Sequence, residues 1–476
     1  MRSWTSALAA SCAVVCAICT VCARADAQSP PDAPTRIALG DWQLSPLVEL
    51  RSRAEYRHAP VDLGGAGSAT VSDAVVGLQR SRLGALAEHG ALAVKLTLQD
   101  ARAWGAVPPT ATLPSGQPNG QTGAYEAYIE MRTDAAHASF LRVGRQAVTW
   151  GEGRLLSDAD WSPAGRSLDA VRARLALGDL DVEALGALLE SRRPLGTAFE
   201  DTTGPASGGE ELAGALVRYA VDPLFKVEAY TLARLTESGA YSPGASRFSY
   251  ARAAGETYVG SLHVFGDGRG WRYGIEGAYE IGRATELSAQ RQAYAAAAHV
   301  ARTFDMLLLS PTLRLGASYA SGDDGSGTYK QFDPLLPDVH AWHGMMDVFA
   351  WSNAEELSGR LSIVPFIDAS LALEYRFVAM PEPSADWLNG YLGVVGRAPG
   401  NASADLGHEI DLSFAWRPWT VMEVAAGYSA LLLGDGARTI MAAEQRGTPG
   451  GTPAAPATTP ASLSHFAYAQ IAVHVP

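Results

Sequence analysis

Apolar and charged side chains alternate with a period of two through most of this chain. In PLVELRSRAEYR, residues 46–57, one parity carries Glu49, Arg51, Arg53 and Glu55, and the other carries Val48, Leu50, Ala54 and Tyr56. The same pattern returns at 271–281, where Trp271, Tyr273, Ile275, Tyr279 and Ile281 oppose Arg272, Glu276 and Glu280. In ALAVKLTLQ, Leu92, Val94, Leu96 and Leu98 face away from Lys95, Thr97 and Gln99; LALEYRF sets Leu371, Leu373, Tyr375 and Phe377 against Glu374 and Arg376. HEIDLSFAWR sets Ile410, Leu412, Phe414 and Trp416 against Glu409, Asp411 and Arg417. A period of two is that of a strand, because successive Cβ atoms point to opposite faces of a sheet. Such segments run to about ten residues, the length of a tilted strand crossing a bilayer. Gly, Pro, Asn and Asp separate about eighteen of them. The pattern therefore predicts an all-β chain: a transmembrane antiparallel β-barrel of about eighteen strands, with some loops folded into its lumen.

A soluble β-sandwich also alternates, and three features weigh against it. Aromatic residues gather at strand ends, Trp416 with Trp419 and Trp342 with Trp351, which suits interfacial girdles. No long linker divides the chain into sandwich-sized pieces. The third is the beginning of the chain. Met1-Arg2, an uncharged run from Ala7 to Ala23 and the small residues Ala25-Asp26-Ala27 have the form of a secretory signal over residues 1–27, with residues 28–476 a single barrel domain. All four cysteines (Cys12, Cys16, Cys19 and Cys22) lie in that leader, so disulfides, thiolate metal sites and cysteine catalysis are not expected in the remainder. Beyond it there is no continuous apolar run of the roughly 20 residues a spanning helix needs, so any membrane crossing is by strands.

Energetics assign the faces. An arginine against mid-membrane lipid costs roughly 2 to 4 kcal/mol, so Arg51 and Arg53 together would cost about 4 to 8 kcal/mol, comparable with a domain's net stability of about 5 to 15 kcal/mol. The charged parity must face the lumen.

The whole chain has a formal net charge of −13, which argues against nucleic acid as a partner, since phosphate neutralisation needs a basic surface. Yet residues 141–175 concentrate Arg142, Arg145, Arg154, Arg166, Arg172 and Arg174 with no lysine. The expected arrangement is a strand over 140–148, an irregular loop over 150–167 broken by Gly151, Gly153, Pro163 and Gly165, and a return strand over 168–177. Val171, Ala173 and Leu175 then take the lipid side and Arg172 and Arg174 point inward. The loop is expected inside the lumen, with Asp158 and Asp160 pairing to Arg154 or Arg166. Arg142 and Arg145 both point inward only if Gly144 marks a bulge. Arginine suits such a lining, because its planar fork grips carboxylates bidentately and keeps its charge. The expected cationic path is Arg51, Arg53, Arg80, Arg82, Lys95, Arg142, Arg145, Arg154, Arg166, Arg172 and Arg174, interleaved with Glu49, Glu126, Glu130, Asp169, Glu374, Glu409 and Asp411, which keep a solute from binding too tightly to move. The plainer alternative is that these arginines only neutralise neighbouring carboxylates.

At this point the chain resembles the alginate export family of outer-membrane β-barrels. GRQAVTWGEGRLLSDADWSPAGRSLDAVRARL, residues 144–175, is similar to its signature of a GRQ strand, a GxGRL turn, a DW pair and a GRxxDxxR return. YASGDDGSGTYKQFDPLLPDVHAWHGMMDVFAWSN, residues 319–353, is similar to its SGD, FDP, PxxH and DxF…SN landmarks. QRSRLGA (79–85), LTLQDARAWG (96–105) and HEIDLSFAW (408–416) fall in the expected order. The resemblance covers essentially the whole chain after the leader. It implies an eighteen-stranded monomeric barrel in the outer membrane of a Gram-negative bacterium, with an arginine-lined, anion-selective conduit partly closed by loops, through which a uronic acid polymer leaves the cell with periplasmic export components as possible partners. One departure is the end, QIAVHVP, which lacks the terminal aromatic residue common on such barrels.

Other functions stay open: a general porin for small anions, or a plugged barrel serving as a surface adhesin through loops near 103–123, 191–210, 234–255 and 382–405. An enzyme is not expected, since neither a G-x-S-x-G elbow nor an H-E-x-x-H pair occurs. His340 and His343, beside Asp338 and Asp347, are taken as ordinary loop residues, and Asp323-Asp324-Gly325 as a turn. No cofactor or metal is expected.

Overall fold

In a bilayer every backbone N–H and C=O must find a partner within the protein, and a sheet satisfies that demand only when its two edges meet. The computed structural model describes residues 36–58, 73–105, 121–133, 139–190, 209–236, 255–284, 289–338, 340–445 and 462–475. The leader expected over residues 1–27 and most of the long loops expected near 103–123, 191–210 and 234–255 lie outside them.

Eighteen antiparallel strands close into a barrel. In chain order they are Trp42–His58, Asp73–His89, Leu92–Gly105, Gln121–Arg132, Phe140–Gln146, Leu168–Leu177, Leu180–Glu190, Glu210–Asp222, Phe225–Thr236, Gly255–Gly268, Trp271–Ala284, Ala289–Thr303, Thr312–Ala320, Ala354–Ile363, Ala369–Ala379, Asp405–Trp419, Met422–Leu433 and Leu463–Val475. Each pairs with its sequence neighbours, and the first pairs with the last, from Val48 opposite Val475 to His58 opposite His465. A three-residue segment, Ile37–Leu39, adds an overhang to the first strand.

Connections differ between the two ends. At one end they are short, including Gly90-Ala91, Gly178-Asp179 and Arg269-Gly270, with Gly90, Gly178, Arg269 and Gly270 all at positive φ, as tight hairpin turns demand. The opposite end carries the long connections. Residues 147–167 and 380–404 are described in full, 321–353 in all but one residue, and a fourth connection contributes the one helix among the described residues, Asp435–Gln445.

The outer wall is apolar. Leu313, Leu361, Leu373 and Leu412 stand opposite one another across four adjacent strands and all are exposed on the barrel surface. Trp42, Phe225, Trp271, Phe304, Phe366, Trp416 and Trp419 ring the short-turn end, the aromatic belt of an interface. Trp342 and Trp351 do not belong to it. They lie in the 321–353 loop inside the barrel, where Trp351 is buried against Phe332.

Two apolar cores fill part of the lumen. In one, Trp150, Leu155 and Leu156 meet Phe332, Leu335, Leu336 and Trp351 against the wall residues Leu212, Leu216, Tyr230, Leu232 and Val259. In the other, Met346, Val348, Phe349 and Trp387 meet Val378, Leu406, Leu431, Phe466 and Ile440 of the helix. Along Glu210–Asp222 and Phe225–Thr236 the inward parity therefore includes Leu212, Leu216 and Leu232 while Ala213, Ala215, Ala229 and Thr231 face out, so apolarity alone does not mark the lipid side there.

Candidate functional site

The first strand holds Glu49, Arg51, Arg53, Glu55 and Arg57 on one parity, all buried inside the barrel, with Leu50, Ser52 and Ala54 outside. Pairing with the second strand sets Arg51 directly opposite Arg80 and Glu49 opposite Arg82. Like charges so placed repel, and the geometry shows what offsets the repulsion. Glu49 accepts from Arg80 Nε at 2.7 Å and from Arg82 Nη1 at 3.2 Å. From the opposite side the 147–167 loop inserts Asp160, whose carboxylate lies 2.9 Å from Arg80, 3.0 Å from Arg82 and 3.7 Å from Arg51.

The loop's backbone takes the remaining donors. Arg51 donates to the carbonyls of Asp160 and Ser162 at 2.7 Å, and Arg53 to that of Trp161 at 3.0 Å. Burial works to raise the Asp160 carboxyl, but Arg80, Arg82 and Arg51 together hold it well below the usual carboxylate range. The sequence expectation that Asp158 or Asp160 pairs with Arg154 or Arg166 is corrected on this point. Asp158 is bonded to Thr149 and Ser157. Arg166 donates to the carbonyls of Ser157 and Leu336, and Arg154 lies 3.6 Å from Glu152 and 3.8 Å from Glu276 while covering the ring of Trp342.

The other expected lining residues are also mostly paired. Lys95 meets Glu126 at 2.5 Å. Arg142 bonds Glu130 and Arg174 bonds Asp181, and Arg172 grips Glu183 with two bonds of 2.6 and 2.8 Å. Glu374 bridges Arg360 and Arg376. Glu409 and Asp411 act differently, accepting from the backbone N–H groups of Met346 and Met345 and so tying the 321–353 loop to the wall.

Arg145 and Asp169 are placed elsewhere. Asp169 shares the parity of the exposed Val171, and Arg145 stands opposite it, so the two form a bidentate pair of 2.7 Å bonds on the outer face near the long-loop end. The register runs through Gly144 without a break. The bulge lies instead in the neighbouring strand, where Thr97 faces Glu126 and Leu98 faces Ala124, leaving Tyr125 and Glu126 both inward.

Sequence reasoning missed several residues that the fold brings here. Arg57 continues the inward parity that runs from Glu49 to Glu55 in the first strand, and Glu183 alternates with Val182 and Ala184 in the same visible way. The contact between two lumen loops had no sequence signal. Trp161 lies 3.7 Å from the Arg53 guanidinium and stacks on His340 at 3.7 Å with an interplanar angle of 8°. Asp347 accepts from Trp161 Nε1 at 3.1 Å and meets His340 Nδ1 at 2.6 Å. His343 takes a different partner, Glu356, at 2.6 Å, so the two histidines do not converge. Asp323-Asp324-Gly325 forms a turn with Gly325 at φ 69° and Lys330 on Asp324.

Toward the short-turn end these loops leave a cavity of about 490 Å³ bounded by Arg51, Asp160, Trp161, His340, Arg360 and Arg376. Such an arrangement has the chemistry to bind a carboxylate, since every guanidinium already bonds to one or to a carbonyl that one could replace.

Among solved structures the fold is similar to outer-membrane proteins of Pseudomonas aeruginosa. OccK9 (OpdG) aligns with a TM-score of 0.57 at 14% identity, covering 91% of this chain and 98% of that one. OccK2 (OpdF), solved in complex with glucuronate, aligns at 0.53 and 11% identity over 91% and 97%, and OpdK, solved with vanillate, at 0.52 and 11% over 90% and 98%. Comparison with curated proteins gives no match. The family described as alginate export matches residues 43–447. With its signature loop docked on the inward arginines of a closed eighteen-stranded barrel, this chain belongs to the alginate export family.

Proposed function

Family and fold make this an outer-membrane channel protein, and we propose that it conducts acidic saccharides, with a uronic acid polymer leaving the cell as the preferred cargo. The observation that carries the proposal is the buried fan of Arg51, Arg53, Arg80 and Arg82 seated on the Asp160–Ser162 backbone. A uronate carboxylate has the chemistry of the Asp160 and Glu49 groups already bound there. It can replace them one fork at a time, so each step exchanges one ion pair for another and no guanidinium is left bare. Exchange of this kind gives the weak, repeated contact that conduction needs. Bound glucuronate and vanillate in two structural neighbours, both carboxylates, agree with this reading.

By the usual arrangement of such barrels the short turns face the periplasm, which makes the 490 Å³ cavity the periplasmic vestibule. A plugged barrel serving outside partners is the second reading, and the apolar cores that fill part of the lumen favour it. Planar-bilayer recording separates the two. The proposal expects single-channel conductance with anion preference and concentration-dependent block by oligouronates but not by neutral oligosaccharides of equal length. A silent barrel, or equal block by both, overturns it.

A further inference from the structure

Two neighbouring turns at the short-turn end carry large apolar side chains that nothing covers. Met306, Leu307, Leu308 and Leu309 lie between Ala289–Thr303 and Thr312–Ala320; Met306 is 97% exposed and Leu308 is 89% exposed. Val364, Phe366 and Ile367 lie between Ala354–Ile363 and Ala369–Ala379, and Ile367 is 83% exposed. A backbone bond from Val364 N to Leu309 O, 2.8 Å, joins the turns into one patch. Other turns at this end, such as Gly90-Ala91, Gly178-Asp179 and Arg269-Gly270, present no such side chains.

The conformation is also costly. Leu309, Ser310 and Asp368 have φ of 66°, 41° and 57°, a region that non-glycine residues enter at a price unless something requires it. Hairpin geometry would have been satisfied by a shorter glycine turn, as elsewhere on this rim.

What covers them is decided by continuity. Leu313, Leu361 and Leu373 form an exposed row across the outer wall of the strands that these turns connect, close to the patch. Phe366 packs at 6.3 Å and 5.7 Å from the outward rings of Phe414 and Trp416, so the second turn leans on the lipid-facing wall. The turns carry only Asp305 and Asp368 as charges, both exposed, and no cation, so attraction to anionic headgroups is not what would seat them. A mixed surface of this kind, apolar groups with carboxylates at their margin, fits the boundary between acyl chains and headgroups. We propose that the 304–311 and 364–368 turns form a wedge seated in the periplasmic leaflet, with phospholipid as its occupant.

Nitroxide accessibility tests the wedge in the whole protein. Leu308→Cys and Ile367→Cys, each in a chain whose Cys12, Cys16, Cys19 and Cys22 are serine, are labelled and reconstituted in phosphatidylethanolamine and phosphatidylglycerol vesicles. Leu357→Cys on the outer wall and Asp179→Cys on another turn calibrate lipid and water. The wedge requires both labels to shift toward oxygen and away from an aqueous nickel chelate, as at Leu357. Nickel accessibility like that at Asp179 overturns it, and so does protection from both reagents, which would mark a second copy on the patch. Because both sites are exposed, neither substitution removes a buried contact, and two independent sites guard against failure of one.

Discussion

Asp160 lets Arg51, Arg80 and Arg82 stand side by side on adjacent strands, since its carboxylate reaches all three. Its removal shows in selectivity first. Half of the Asp160 side chain is exposed to the lumen, so solvent screens it. A charge about 8 Å from a permeating ion acts with roughly 2 kcal/mol at an effective dielectric near 20, and with about half that after screening. Asp160→Asn is expected to raise the anion-to-cation permeability ratio about fivefold, read from reversal potentials in a salt gradient. The pH dependence has a definite sign. The folded carboxyl lies below its ordinary 3.8, so its contribution to docking the loop is complete above that value and is lost as pH falls through the lowered pKa. The difference in conductance between the native chain and Asp160→Asn should stay constant on acidification through 3.8 and change only in stronger acid.

At the scale of elements, the loops in the lumen are held by contacts that the strands do not need. Trp161, His340 and Asp347 join the 147–167 and 321–353 loops, with Arg53 anchoring the first to the wall. A cation over an aromatic face contributes about 0.5 to 2 kcal/mol and a hydrogen bond about 1 kcal/mol. Trp161→Ala thus removes about 1.5 to 3 kcal/mol from the docked state, raising the undocked population by roughly one to two orders of magnitude. Larger, noisier single-channel currents from a barrel of unchanged heat-modifiable gel mobility are the expected result. Gly344→Ala attacks the same loop from the wall side. Gly344 sits at φ 91°, and an added Cβ would collide with the Glu409 carboxylate, so it should loosen the loop with a similar change in current. Unaltered currents in both variants would show that the loops do not limit the path.

For the whole molecule, closure and pairing set the function. Most inward cations have a carboxylate neighbour, so selectivity should be moderate and fall with ionic strength, and Arg51→Ala with Arg53→Ala should weaken oligouronate block more than it changes conductance. The period of two, read with the cost of arginine in lipid, determined the all-β class, the strand spacing and the inward direction of Arg51, Arg53, Arg172 and Arg174, because each of these is a local property of neighbouring residues. The same arithmetic also places Asp169 with Val171 on the outer face, where a simple grouping of charges by region had set it inside. What the sequence could not determine was which charges meet. Asp160 is far along the chain from Arg51 and Arg80, and Trp161 from His340, and their contacts arise only when the barrel closes and two irregular loops settle in the space it leaves. Nor could periodicity reveal that leucines of Glu210–Asp222 face inward, since apolar residues serve equally against lipid and against a lumen core. Local side-chain direction is written in parity, while partnership across a closed sheet depends on loop paths that have no period.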